Sequence, residues 1–521
     1  MGLMFKIKKI VLAMALALPM VASAETNDEL KSEIDLLKAQ INELRAMVKQ
    51  QAAAPAPVEA TAPVATVDPA DFSQLQTKVE GLIDDKEVTG HKNLRISGGI
   101  DPTYIYNRAK GTSSFAFLNN AGSINGSGEV FGYDNSTWGM AYLDFQKEME
   151  GGTKMRITLA PSKSAGSAFN WGNIVHEAYA SIPLSDAQTR LMVGQFADVS
   201  GYQPWLNTYI GANSISSNQL FPGYGEYFIT KNLLFDFTNP YFYTGVGLDM
   251  TRGPWETKLY LANFNSARND VNGCPAATQS SVTDPTTTTP TTTVTGSNVS
   301  CPSTSRNIHP TIIYNATFAK EEFWGFEFTG YEGVVANPMY LANPALAANT
   351  RLDQFEIDGN YTRAEFNGNI QLTIGQQQNA AYNGGNAHWW GFSTLLSQRV
   401  MPQLTLAARL DYLANHANGG GTYATADAIP STIDNGGSVT YLGDFYNGFG
   451  PGDPNAPGYD ANKGADRSSL SLSSTYRWSP NVAFRGEWRF DHATTPSFYY
   501  WNTQSFGHSN QLLGLQTVVN F

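Results

Sequence analysis

Val482, Ala483, Phe484, Arg485, Gly486, Glu487, Trp488, Arg489, Phe490 and Asp491 form a stretch in which apolar and charged residues alternate. Successive side chains of a strand point to opposite faces, so a strand here carries Phe484, Trp488 and Phe490 on one face and Arg485, Glu487, Arg489 and Asp491 on the other. A helix would mix the two sets around its circumference. Four charges on one face are costly against a dry core unless paired, and cost little beside water. The stretch therefore predicts a sheet that is apolar outside and wet or ion-paired inside.

The same period of two runs from residue 93 to residue 521. Leu94, Ile96, Ile100, Tyr104 and Tyr106 alternate with Arg95, Ser97, Asp101 and Thr103. A long polar segment is expected to follow, up to the run beginning at Ala141. Further runs come in pairs joined by tight turns, at Gly151-Gly152, Asp186-Ala187, Gly253-Pro254, Lys320-Glu321, Arg363-Ala364, Pro402-Gln403 and Pro480-Asn481. With the first run and the last, at 511–521, sixteen strands are expected. Short connections on one edge and long ones on the other, with an even strand number, are the pattern of a transmembrane antiparallel β-barrel. Only a closed sheet pairs every backbone group inside lipid. Sixteen strands also leave a wide interior. The expected fold is thus all-β, a barrel over 93–521, with a short N-terminal α-helical coiled coil.

The face opposite the apolar one supplies the candidate pore-lining residues. They are Arg95, Asp101, Arg156, Glu177, Arg190, Asp249, Lys258, Glu356, Asp358, Arg409, Asp411, Arg485, Glu487, Arg489 and Asp491.

Composition agrees with two opposed faces. Charged residues make up 15% of the chain, against roughly 25% in ordinary soluble domains, while 42% is hydrophobic. Beyond the first two dozen residues no apolar run approaches the roughly 20 residues that a spanning helix needs. A net charge of −12 argues against nucleic acid as a partner. The seven histidines show no H-E-x-x-H spacing, and no G-x-S-x-G occurs. His176 and Glu177, the nearest approach to an acid/base pair, are strand neighbours that point apart. No enzyme activity, catalytic residue, metal or cofactor is expected.

Residues 1–24 read as a secretory signal, with Lys6, Lys8 and Lys9 before an apolar run and Ala22-Ser23-Ala24 at the cleavage site. In residues 25–51 a capping box at Thr26 to Glu29 opens a helix, along which Leu30, Ile34, Leu37, Ile41, Leu44 and Val48 keep a coiled-coil spacing. Residues 52–71, rich in Pro and Ala, form a linker reaching roughly 60 Å at about 3.1 Å per residue. Residues 72–92 connect it to the barrel through a short helical segment. Cys274 and Cys301 flank a Thr/Pro tract. Export makes a disulfide between them reasonable, worth roughly 3 kcal/mol by chain entropy, and two free thiols are the alternative.

The C-terminal Leu513, Leu515, Thr517, Val519 and Phe521 resemble the closing strand of Gram-negative outer-membrane proteins. The hairpin from Glu177 to Phe196 is similar to hairpins of 16-stranded porins. Signal, coiled coil, linker and barrel together resemble the substrate-selective porins that carry N-terminal coiled coils. The resemblance implies recognition of Phe521 by the barrel-insertion machinery, a homotrimer, and a third long loop, 197–241, folded into the lumen as a constriction with Asp198, Glu226 and Asp236 as its acids. It also implies a basic side of the pore, for which Arg95, Arg156, Arg190, Arg409, Arg485 and Arg489 are the candidates.

The expected function is passive diffusion of small hydrophilic solutes, selective by charge or by substrate, through a porin in the bacterial outer membrane. Outer-membrane lipid surrounds the barrel, and the coiled coil lies in the periplasm. The alternatives are a structural anchor tethering the envelope through the coiled coil, or uptake of a specific larger ligand such as a siderophore. The seam pattern by itself favours two strands, whereas the porin resemblance implies three protomers.

Overall fold

A computed structural model describes residues 93–109, 111–117, 139–160, 175–202, 227–240, 242–265, 310–320, 324–337, 345–347, 349–381, 383–420, 431–434, 438–441, 456–500 and 502–521. The signal, the coiled-coil seam from Leu30 to Val48, the linker, Glu226, Cys274 and Cys301 lie outside the described residues.

Sixteen strands follow one another around a single antiparallel sheet. Strand β1 comprises Leu94–Ile100 and Thr103–Asn107, and β2 comprises Thr112–Ala116 and Ala141–Glu148. Then come β3 (Lys154–Leu159), β4 (Val175–Pro183), β5 (Thr189–Ala197), β6 (Phe242–Arg252), β7 (Trp255–Asn265) and β8 (Thr311–Lys320). The second half holds β9 (Trp324–Ala336), β10 (Asn349–Arg363), β11 (Phe366–Gln377) and β12 (Ala387–Met401). It ends with β13 (Leu404–Ala414), β14 (Arg467–Ser479), β15 (Val482–Ala493) and β16 (Ser509–Asn520). The sheet closes where β16 pairs with β1, at Gly99↔Asn520 and from Thr103↔Gln516 to Asn107↔Leu512. Among the described residues one helix, α1 (Leu233–Phe237), lies between β5 and β6.

The first connection differs from the expectation of a long polar segment between β1 and Ala141. The chain turns back at once after Asn107, with Gly111 N donating to Arg108 O at 3.1 Å, and Thr112–Ala116 pairs with the upper part of β1. Strand β2 is therefore described in two pieces, Thr112–Ala116 and Ala141–Glu148. The sequence of that short piece, Thr-Ser-Ser-Phe-Ala, lacks the apolar alternation that marks the other strands. In β1 the break falls at Pro102, which has no N–H for the ladder; its carbonyl still accepts from Thr517 N at 3.1 Å.

The burial pattern inverts that of a soluble sheet. On β15, Phe484 is 45% exposed and Trp488 37%, while Arg485, Glu487, Arg489 and Asp491 are at most 2% exposed. Leu470 and Leu472 on β14, Ile370, Leu372 and Ile374 on β11, and Leu513 and Leu515 on β16 are likewise exposed. Each such side chain gains roughly 1.5–3 kcal/mol on leaving water, so a continuous belt of them is a surface made for hydrocarbon. Trp255, Phe318, Trp324 and Phe326 cluster around the β8–β9 turn with ring centroids 4.8–6.2 Å apart, as aromatic residues do at a membrane interface. At the β2–β3 turn Gly151 and Gly152 take φ of 83° and 78°, which glycine adopts without a Cβ clash, in a three-residue loop where Met149 N donates to Thr153 O at 2.8 Å and Gly152 N to Met149 O at 3.0 Å.

Candidate functional site

The segment after β5 leaves the wall and enters the barrel. Asp198 accepts from Ser200 N at 3.1 Å, from Ser200 Oγ at 2.6 Å, from the Tyr331 hydroxyl at 3.0 Å and from the Tyr243 hydroxyl. Burial pushes this loop carboxyl up to about 7, against the hydrogen bonds from Ser200 and Tyr243 that lower it. Gly201 follows with φ +77°, and a Cβ there would meet Asn239 Nδ2 and Gln371 Nε2 at 3.3 Å and Glu356 Oε1 at 3.4 Å. Tyr202 then reaches β12, its hydroxyl 2.5 Å from Ser393 Oγ. The Tyr227 carbonyl accepts from Ser473 Oγ on β14. Strand β5 and strand β13 stand half a circumference apart in a ring of sixteen. Bonds from residues 227–231 to β13–β15 therefore carry this loop across the lumen.

Helix α1 is fixed from both ends. Asn232 Oδ1 accepts from Phe235 N at 2.6 Å as the N-cap, and its Nδ2 donates to Gln371 Oε1 at 2.9 Å. Thr238 Oγ1 donates to Leu234 O at 2.7 Å. Leu233, Leu234 and Phe237 pack with Val335, Leu352, Trp389 and Leu413 from the wall, an apolar island inside a polar lumen. Asn239 Nδ2 returns to Ser200 Oγ at 3.0 Å and Glu356 Oε1 at 3.4 Å, tying the two ends of the described loop together.

Strands β13–β15 make a basic wall. Arg409 donates through Nη1 to Thr230 O at 2.8 Å, through Nη2 to Lys231 O at 2.9 Å and through Nε to Asp411 at 3.1 Å. Arg489 Nη1 donates to Lys231 O at 2.8 Å and to Thr230 Oγ1 at 3.0 Å, while its Nε reaches Asp491 at 3.0 Å. Arg467 Nη2 holds the other oxygen of Asp491 at 2.6 Å, and its guanidinium lies 5.5 Å from the Phe237 ring and 5.3 Å from Phe498. Arg485 Nη1 donates to Gln516 Oε1 at 2.6 Å and to Phe228 O at 3.4 Å. Glu487 accepts the amides of Ile229 and Thr230 at 2.6 and 2.8 Å and the Thr230 hydroxyl at 2.6 Å. The hydroxyl of Thr230 thus uses its one donor and both acceptor positions.

Strands β9 and β10 make an acidic wall. Glu327 and Asp358 stand opposite each other across the two strands, and Glu356 is two residues from Asp358 on the same face. All three are fully buried. Glu327 accepts from Thr317 Oγ1 at 3.0 Å and Thr329 Oγ1 at 3.2 Å, and Glu356 from Thr373 Oγ1 at 2.8 Å. Asp358 lies beside Glu356 and the Gly201 amide. Lys258, on β7, pairs with Glu256 at 2.8 Å and lies in the field of Glu327 and of half-buried Asp249.

The remaining candidates are scattered. Arg156 pairs with Asp144 at 2.8 Å and Glu177 at 3.5 Å on β2–β4. Buried Asp101 accepts from Met140 N, and from Gln516 Nε2 at 2.9 Å. Arg190 is spent on Ser181 and the Gly152 carbonyl near the short turns, and Arg95 is exposed. Asp236 is buried within α1. Phe521 is 70% exposed, its main chain bonded to Gly98. The charged groups of β10, β13 and β15 are buried, with residues 198–202 and 227–239 lying against them. Glu327, Arg467, Thr230, Lys231 and Asn232 join this site without having been singled out in the sequence. Glu327 between Phe326 and Phe328 carried the alternation signal; the loop residues carried none. Among the described residues no group of three or more His, Cys, Asp or Glu has metal-holding geometry.

A closed sixteen-stranded barrel with an apolar outer belt and a loop folded into its lumen defines the class of porin-like outer-membrane barrels. The chain belongs to the family described as "Protein of unknown function (DUF3138)", whose model matches residues 5–521. Solved structures of similar fold include an anion-selective porin from Comamonas acidovorans, with TM-score 0.47, 10% identity, and coverage of 82% of this chain and 99% of that one. A loop L8 deletion mutant of OmpT, an outer membrane protein of Vibrio cholerae, has TM-score 0.44, 9% identity and coverage of 82% and 99%. Salmonella typhi OmpF in complex with daunomycin has TM-score 0.43, 10% identity and coverage of 82% and 97%. No curated protein matches the sequence.

Proposed function

We propose that the protein is an outer-membrane porin that passes small hydrophilic solutes by diffusion, with the loop at 197–241 as its constriction. The observation that carries this reading is the loop's course across the lumen, between a basic wall on β13–β15 and an acidic wall on β9–β10. Opposed charges at a low-dielectric narrowing set a transverse field that sorts solutes by sign and dipole. Here the acids come chiefly from the wall itself, with Asp198 added by the loop, and Arg409, Arg485 and Arg489 supply the basic side. The reading includes a homotrimer embedded in outer-membrane lipid, insertion directed by Phe521, a Cys274–Cys301 disulfide, and a periplasmic coiled coil along the Leu30 to Val48 seam. No chemistry on the solute belongs to it.

Planar-bilayer conductance of the full-length protein tests the proposal. Arg485→Ala with Arg489→Ala shifts the reversal potential toward cations; an unchanged reversal potential removes these residues from the selectivity site. A second reading, a plugged barrel serving as an envelope anchor, is favoured by the burial of Arg409, Arg467 and Arg489 beneath the loop. Liposome swelling separates the two, since a plug gives no solute flux. Cross-linking with mass measurement in detergent decides the number of protomers.

A further inference from the structure

The basic wall holds the loop chiefly by its main chain. Arg409 and Arg489 donate to the carbonyl oxygens of Thr230 and Lys231 at 2.8–2.9 Å. Glu487 accepts the amides of Ile229 and Thr230 at 2.6 and 2.8 Å. Guanidinium groups on carbonyls and a carboxylate on amides make a surface complementary to a peptide backbone in both of its polar senses. All three wall groups are at most 1% exposed, and charge-assisted bonds are strongest where water is excluded.

Solute classes differ in how they meet this arrangement. Inorganic phosphate satisfies the guanidinium groups and is repelled by Glu487. A sugar offers hydroxyls of no fixed polarity and no charge for either group. A short peptide offers carbonyls and a terminal carboxylate to Arg409 and Arg489, and amides or a terminal ammonium to Glu487.

We propose that short zwitterionic peptides are the solute class this wall recognises, and that they bind by displacing residues 228–231. The inference deepens the porin reading and rests on it. The loop segment is a tethered competitor whose effective concentration is on the order of millimolar, so free peptide acts in that range. Thr230 strengthens the competitor with a hydroxyl that a simple peptide lacks, bonded to Arg409, Arg489 and Glu487.

The test uses the full-length protein in a planar bilayer with trialanine, maltose and inorganic phosphate as probes. Trialanine at roughly millimolar concentration interrupts the current, and maltose and phosphate at equal concentration do not. Thr230→Ala lowers the effective trialanine concentration about tenfold, as loss of hydrogen bonds to charged groups predicts. Glu487→Gln abolishes the trialanine effect. Equal interruption by maltose or phosphate overturns the proposal, and so does a trialanine response unchanged in Glu487→Gln. If no current flows with any probe, the porin reading falls, and calorimetry of trialanine with the detergent-solubilised protein decides the site on its own. Binding lost in Glu487→Gln upholds the peptide site, and no binding in wild type overturns it.

Discussion

The basic wall on β13–β15 and the acidic wall on β9–β10 grip the same loop by different means. At the basic wall, charges are paired among themselves and their spare donors and acceptors take up main-chain groups of residues 228–231. At the acidic wall, Glu356 is met by side chains, Asn239 and Thr373, and by the close approach of Gly201. The first contact tolerates change in most loop side chains; the second depends on particular ones. The loop is thus held at its far end chiefly through its main chain and, where it leaves and rejoins the wall, chiefly through the side chains of Asp198 and Asn239.

That contrast fixes an order of effects. Arg489→Ala leaves Asp491 to Arg467 alone and the Lys231 carbonyl to Arg409 alone, and breaking a buried pair costs about 3–5 kcal/mol. Hydrogen exchange then shows lost protection across 228–237. Gly201→Val forces a β-branched residue to φ +77° beside Glu356 and Gln371, at a cost of roughly 1–3 kcal/mol, and loosens the near end while the amides of Ile229 and Thr230 stay protected. Asn239→Ala removes the side-chain bonds to Ser200, Glu356 and Thr238 for about 1–2 kcal/mol in all, seen as a smaller loss confined to 198–202 and 238–240. If Asn239→Ala deprotects as much as Arg489→Ala, the ranking of the two walls is wrong.

A smaller effect follows from Asp198, whose carboxyl is held near 7 against an ordinary 3.8. It faces Ser200, Tyr243, Tyr331 and Glu356. A raised folded value means that docking favours the protonated form. Its contribution is complete below about pH 4 and is lost as pH rises through about 7. Channel noise from loop movement therefore increases over that window, and Asp198→Asn removes the part centred near 7.

The sheet was legible in the sequence because a barrel in lipid writes its two faces as a period of two. Phe484 and Trp488 against Arg485 and Glu487 suffice to orient β15, and Gly151-Gly152 to place a turn. Thr112–Ala116 was not legible, since it carries no apolar face, and so β2 looked shorter than it is. Alternation also put Arg409, Asp411, Arg485, Glu487, Arg489 and Asp491 on one face, where the structure brings them together. Their partners Thr230 and Lys231 could not be read, because that contact depends on a loop crossing half a circumference, and no local spacing encodes such a crossing. Burial followed from the same contact.

On the porin reading, residues 227–231, docked on the basic wall, narrow the barrel. Thr230→Pro tests it most directly, because it deletes the amide that Glu487 accepts and the hydroxyl shared by three wall groups, and alters no strand. Single-channel conductance of this variant is predicted to exceed that of wild type. Equal conductance in the two, or none in either, would mean that this docked segment does not set the pore's width.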